Sequence, residues 1–209
     1  MGIKDNMLGK LSLMTKNGNK EYRLKFSGYK NFLRLHIFYT ERNPDNLAEL
    51  KVNQFVGSIP INRTGLNIIV NELSKLNTKE EGYVAGLNVY KPIWEDNKMT
   101  DERVLAGRIF VGRKKLEEGI INFIGVSINI AGEDKKFVFK LLPSPYLEII
   151  VNGKKVSEEM ASMMWTDAYY RTLVDVLSNL PEVLEDDEQQ SKNKKSSDVK
   201  TTTGDELVF

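Results

Sequence analysis

The chain has 209 residues, 41% of them hydrophobic, with a formal net charge of +1 and no cysteine. That length suits one domain or two closely packed halves, and that apolar content is enough for a real core. The lack of cysteine excludes disulfides, thiolate metal sites and cysteine nucleophiles, and the single histidine, His36, excludes a histidine-rich metal site.

Met1-Gly2-Ile3-Lys4-Asp5 lacks the apolar stretch of a signal peptide, and no run reaches the length of a membrane span. The expectation is a cytoplasmic protein, in the host cytoplasm if a phage encodes it. Four stretches then read as strands: Lys10–Lys16, Glu21–Phe26, Phe32–Thr40 and Leu50–Ile59. Turn-forming residues separate them, at Asn17-Gly18-Asn19, Ser27-Gly28 and Asn43-Pro44-Asp45-Asn46. From Thr64 to Leu76 the period changes. Leu66, Ile69, Val70, Leu73 and Leu76 recur at steps of three and four, which predicts a helix capped by Thr64 or Asn62.

The order then repeats. Tyr83–Lys91, Val104–Arg113, Gly119–Ala131 and Lys135–Leu142 read as strands, with a further short one within Tyr146–Val151. A long helix is expected from Ser157 to Leu180, burying Met160, Met164, Leu173, Val176, Leu177 and Leu180 and stopped by Pro181. Beyond Pro181 the composition turns polar. Residues 182–209 hold eight acidic side chains and four lysines, a net of −4, which leaves +5 on residues 1–181. The expected organisation is a body over 1–181 and a disordered acidic tail over 182–209.

Alternation within Phe32–Tyr39 is the sharpest local signal. Side chains on a strand point to opposite faces with period two. Leu33, Leu35, Ile37 and Tyr39 share an apolar face that suits the core. Phe32, Arg34, His36 and Phe38 share the other, and aromatics alternating with cations suit a single-stranded nucleic acid: rings for bases, charge for phosphates. The competing reading buries that face too, with the phenylalanines under a helix and Arg34 snorkelling. Weaker candidates are Arg23 and Lys25, Tyr29 and Lys30 at the turn that follows, Trp94 in a turn-rich loop, and Arg108, Phe110 and Arg113. Catalysis finds little support. His36 would have to serve any triad alone, the Glu80–Glu81 pair sits in a turn, and Val111–Lys115 is no phosphate-binding loop. The expectation is a non-enzyme with no cofactor and no metal.

Two resemblances sharpen this. The terminus Asp205-Glu206-Leu207-Val208-Phe209, with the acidic block Glu185–Glu188, resembles the tail tip of bacterial and phage single-stranded DNA-binding proteins. It implies that Asp205, Glu206 and Phe209 dock replication partners such as a polymerase or helicase. Lys192, Lys194, Lys195 and Lys200 depart from the more uniformly acidic family tail. The body differs from those families' OB-fold. Its order of four strands and a helix, twice, resembles the Whirly family, in which two four-stranded sheets pack with two helices. The fold expected is α+β and β-rich: two four-stranded antiparallel sheets each followed by a helix, with an OB-fold barrel carrying added helices as the alternative. The function expected is protection of single-stranded DNA during replication, recombination or repair, with self-association as a homo-oligomer left open. An RNA- or transcription-linked binder and a phage structural or assembly protein are the alternatives.

Overall fold

The computed structural model describes residues 11–17, 20–29, 32–43, 45–96, 98–130, 132–144 and 146–179, the side chains at 17, 28, 29, 32, 42, 47–53 and 94 apart. Strands β1 (Leu13–Asn17), β2 (Lys20–Tyr29), β3 (Phe32–Asn43) and β4 (Asn46–Ile61) form one antiparallel sheet in chain order, sheet I. Helix α1 (Arg63–Lys75) and a 3-10 turn (Leu76–Thr78) follow. Strands β5 (Val84–Glu95), β6 (Lys98–Leu116), β7 (Gly119–Ile130) and β8 (Glu133–Lys140) form sheet II, again antiparallel and in chain order. A small hairpin of β9 (Ile150–Val151) and β10 (Lys154–Lys155) precedes α2 (Glu158–Ser178). These are two separate open sheets and not a five-stranded barrel, so the OB-fold alternative is overturned.

Period-two patterning builds the core. Leu24 of β2, Leu33, Leu35 and Ile37 of β3, and Ile59 and Ile61 of β4 are buried on one face of sheet I. They meet Ile109, Val111, Ile124, Val126, Ile128, Phe137 and Phe139 of sheet II in a single cluster. The side chain of Asn62, of the two proposed caps, accepts the Gly65 N–H at 2.8 Å and starts α1. Leu66, Ile69, Val70 and Leu73 then face inward as their spacing predicts. Although α1 follows sheet I in the chain, its backbone packs against β5 and β6 of sheet II, while α2 packs on β7 and on α1.

The long helix departs from its predicted stripe. Leu173, Val176 and Leu177 are buried, but Met160 and Met164 are exposed, and Leu180 lies outside the described residues. Small and polar residues bury the helix's first half instead. Asn122 of β7 accounts for this: its N–H donates to Ser162 Oγ at 2.9 Å, and its side-chain amide donates to Thr166 Oγ1 at 2.9 Å and Asn77 Oδ1 at 2.6 Å. A buried amide needs such partners more than the helix needs two more apolar contacts. The proposed tail, with Asp205, Glu206 and Phe209, lies outside the described residues.

Candidate nucleic-acid interface

Cross-strand register decides which side chains meet on the outer face of sheet I. One row runs Met14, Arg23, Phe38, Phe55 from β1 to β4. The next runs Lys25, His36, Ser58, and the third Ser27, Arg34, Pro60. The face predicted from β3 is therefore assembled: Arg34, His36 and Phe38 are half-buried there, while Leu33, Leu35 and Ile37 point into the core. Phe32 shares the outer register by its backbone pairing with Tyr29; the side chains of both, and Lys30, are outside what the structure describes.

The rings form one cluster. Phe38 and Phe55 lie edge to face at 5.7 Å between centroids, His36 sits 5.7 Å from Phe55 and 6.2 Å from Phe38, and Lys25 Nζ lies 5.2 Å over the Phe38 ring. Phe55 is 51% exposed, so the cluster presents an open ring surface. Ser27 Oγ and His36 Nε2 are hydrogen-bonded at 2.6 Å. Burial, and then the charge of Arg34, hold the imidazole pKa below its ordinary value, which favours a neutral ring. Arg23 is less available: its Nε bonds the buried carboxylate of Glu21, which also lies 3.7 Å from Lys16 Nζ.

Phe55 was not among the residues predicted, for a local reason. Counting back by twos from the buried Ile59 through Gly57 puts Phe55 on the core side. The pairing slips between Ile37 and Phe38, however, so that Gly57 opposes Ile37 but Phe55 opposes Phe38, and Val56 is the extra residue. This β-bulge turns Phe55 to the outer face. Alternation alone carries no signal for it.

The other candidates fall on sheet II and are corrected in part. Arg113 is buried and structural: Nη1 donates to the carbonyls of Asn77 (2.7 Å) and Lys79 (3.1 Å), and Nη2 lies 3.8 Å from Glu159. It ties the 3-10 turn to β6 and has no surface to offer a phosphate. Phe110 is also buried, its ring lying across Gly125 of β7. Arg108 is exposed on the outer face of sheet II, in a row with Asn88, Ser127 and Lys136. Trp94 is not in a loop but near the end of β5, opposite Met99. Sheet II thus does not extend the ring cluster of sheet I.

Among the described residues no group of acidic or histidine side chains is arranged to hold a metal ion, and no helix is long and apolar enough to cross a membrane. No family model matches the sequence, and no curated protein matches it. Two solved structures are similar to the fold over most of its length. One is the plant transcriptional regulator PBF-2: 10% identity, 92% of this chain and 89% of that one, TM-score 0.34. The other is WHY3 from Arabidopsis thaliana: 9% identity, 90% and 96% coverage, TM-score 0.35. No residue role is carried over from either.

Proposed function

We propose that this protein binds single-stranded nucleic acid, DNA in the first place, along the outer face of sheet I. The observation that supports it is the half-exposed cluster of Phe38, Phe55 and His36 flanked by Lys25 and Arg34. Rings accept any base by its face and cations track the backbone, so binding has little sequence preference. A duplex hides its base faces and should bind more weakly. The role that fits is non-enzymatic protection of single strands during replication, recombination or repair, in the cytoplasm. In this reading the acidic segment 182–209 competes with phosphate for the basic body. Bound DNA displaces it, and Asp205, Glu206 and Phe209 are then released to a polymerase or helicase.

The test is fluorescence anisotropy of labelled single-stranded and duplex oligonucleotides over a salt series. Single-strand affinity should exceed duplex affinity and fall log-linearly with salt. Equal affinity for duplex would count against stacking, and no binding at low salt would end the reading. Removing residues 182–209 should tighten binding most at low salt.

One observation favours a protein-contact role alongside it. Leu147, Ile150, Met160 and Met164 are all exposed apolar side chains around the β9–β10 hairpin and the start of α2. Such a surface suits self-association as a homo-oligomer, which sedimentation across a concentration series measures.

A further inference from the structure

We propose that a cleft at one end of the interface between the two sheets is a pocket for one unpaired nucleobase, entered from the outer face of sheet I across Phe55. This deepens the reading of that face as a nucleic-acid surface and rests on it. The cleft has a volume of about 240 Å³ and is lined by Tyr22, Tyr39, Gln54 and Phe55 from sheet I and by Lys135 and Phe137 from sheet II. Sites for drug-sized ligands run to roughly 300–1,000 Å³. This one therefore has room for a single planar ring system.

Its wall is aromatic. The Tyr22 ring lies 5.2 Å from that of Tyr39 and 5.2 Å from that of Phe137, tilted by 40° and 49°. Three rings from two sheets thus line one recess. The polar groups at the cleft match a nucleotide better than a plain apolar ligand. Gln54 carries an amide with both a donor and an acceptor, the pairing that reads a base edge. Lys135 is exposed and brings a positive charge for a phosphate. The Tyr39 hydroxyl donates to the Glu41 carboxylate, which with burial pushes the phenol up to about 12. The phenol is therefore neutral at working pH, and its oxygen keeps a lone pair for a base amino group.

Continuity with the outer face is the strongest observation. Phe55 belongs to the ring cluster with His36 and Phe38, and the same residue borders the cleft. The bulge at Val56 makes this possible: it sends Phe55 to the outer face and turns its neighbour Gln54, opposite Tyr39, to the cleft side. β4 is an edge strand, with Phe55 in the outer-face row and Gln54 opposite Tyr39 on the cleft side. A base in a single strand has no pairing to give up on entering such a recess.

The experiment uses the full chain and a thymidine oligonucleotide carrying 5-bromodeoxyuridine, irradiated and mapped by peptide mass spectrometry. Adducts on Tyr22 or Tyr39, besides those on Phe38 or Phe55, are the expected result. Gln54→Ala, an exposed change with little stake in folding, should then weaken single-strand binding by about 3- to 10-fold, the loss of one hydrogen bond. It should also reduce the tyrosine adducts relative to those on Phe38. Adducts confined to Phe38 and Phe55, or a Gln54→Ala variant that changes neither affinity nor adduct pattern, overturn the pocket and leave the outer face standing. Failure to bind any single strand removes both.

Discussion

The outer faces of the two sheets start from the same material and finish differently. Each carries two phenylalanines on adjacent strands with a lysine over one ring: Phe38 and Phe55 with Lys25 on sheet I, Phe110 and Phe123 with Lys136 on sheet II. On sheet I Phe38 is half-buried and Phe55 is 51% exposed. On sheet II the rings are sunk to 7% and 8% exposure. The difference lies in the residues beside them. A Cβ added at Gly125 would fall inside the Phe110 ring, and one at Gly112 would come within 2.6 Å of Phe123 Cζ. Each ring on sheet II lies down in a glycine slot on its neighbour strand. On sheet I the neighbours are Arg23 and Phe55 for Phe38, and no slot exists. Aromatic content therefore does not make a stacking surface; side chains beside a ring that keep it from lying flat do.

The comparison breaks most visibly if the sunk rings are removed. Phe110→Ala or Phe123→Ala should cost about 3–5 kcal/mol of stability, the range for a truncated buried phenylalanine. Chemical denaturation checks this, and single-strand affinity of the folded fraction should be unchanged. A loss of affinity at full stability would mean that sheet II is also a binding face. Gly125→Ala is the next largest, about 1–3 kcal/mol as overpacking that turns the Phe110 ring out of its slot. A fall in melting temperature with increased exposure of that ring would show it; an unchanged melt would deny the slot its importance.

On sheet I the signs reverse. Phe38→Ala and Phe55→Ala should each weaken single-strand binding by about 1–3 kcal/mol, the range for one stacked base. Phe55→Ala, the more exposed of the two, should leave the melting temperature almost where it was. Anisotropy and thermal melts on the same preparations separate the two outcomes. A variant that loses stability and keeps its affinity would make the cluster of sheet I another piece of core.

Residues near in sequence fixed what was legible. The period-two runs located all eight long strands and the inward set Leu33, Leu35 and Ile37, because each strand reports its own faces. Most of the errors came from partners distant in sequence. Phe110 reads as a surface ring until Gly125, fifteen positions on, is placed beneath it. Arg113 reads as a free cation until the turn at Asn77–Lys79 folds over it. Met160 and Met164 lose the core to Asn122, whose demand for hydrogen bonds no helical period reveals. Phe55 changes face through one unpaired residue, Val56. Register and partner identity are tertiary facts, and they carry most of the site.

The smallest effect separates the faces by pH. His36, in the cluster of sheet I, has its pKa lowered by burial and then by Arg34, whereas the ring pair of sheet II includes no histidine. In the unfolded chain its pKa is about 6.5. Between that value and the lowered folded one, the unfolded state binds more protons. The contribution of His36 to stability is therefore complete above about pH 6.5 and is lost as pH falls below it. His36→Gln should lose this pH dependence, so the wild type minus variant difference in melting temperature should shrink from pH 8 to pH 5. DNA should act in the opposite direction. A phosphate placed beside the imidazole favours its charged form, so binding takes up a proton and affinity should rise over the same fall in pH. One ring would then lower stability and raise affinity as the solution is acidified. A pH-independent affinity ratio between wild type and His36→Gln would place the phosphate track away from His36, and leave Lys25 and Arg34 to carry it.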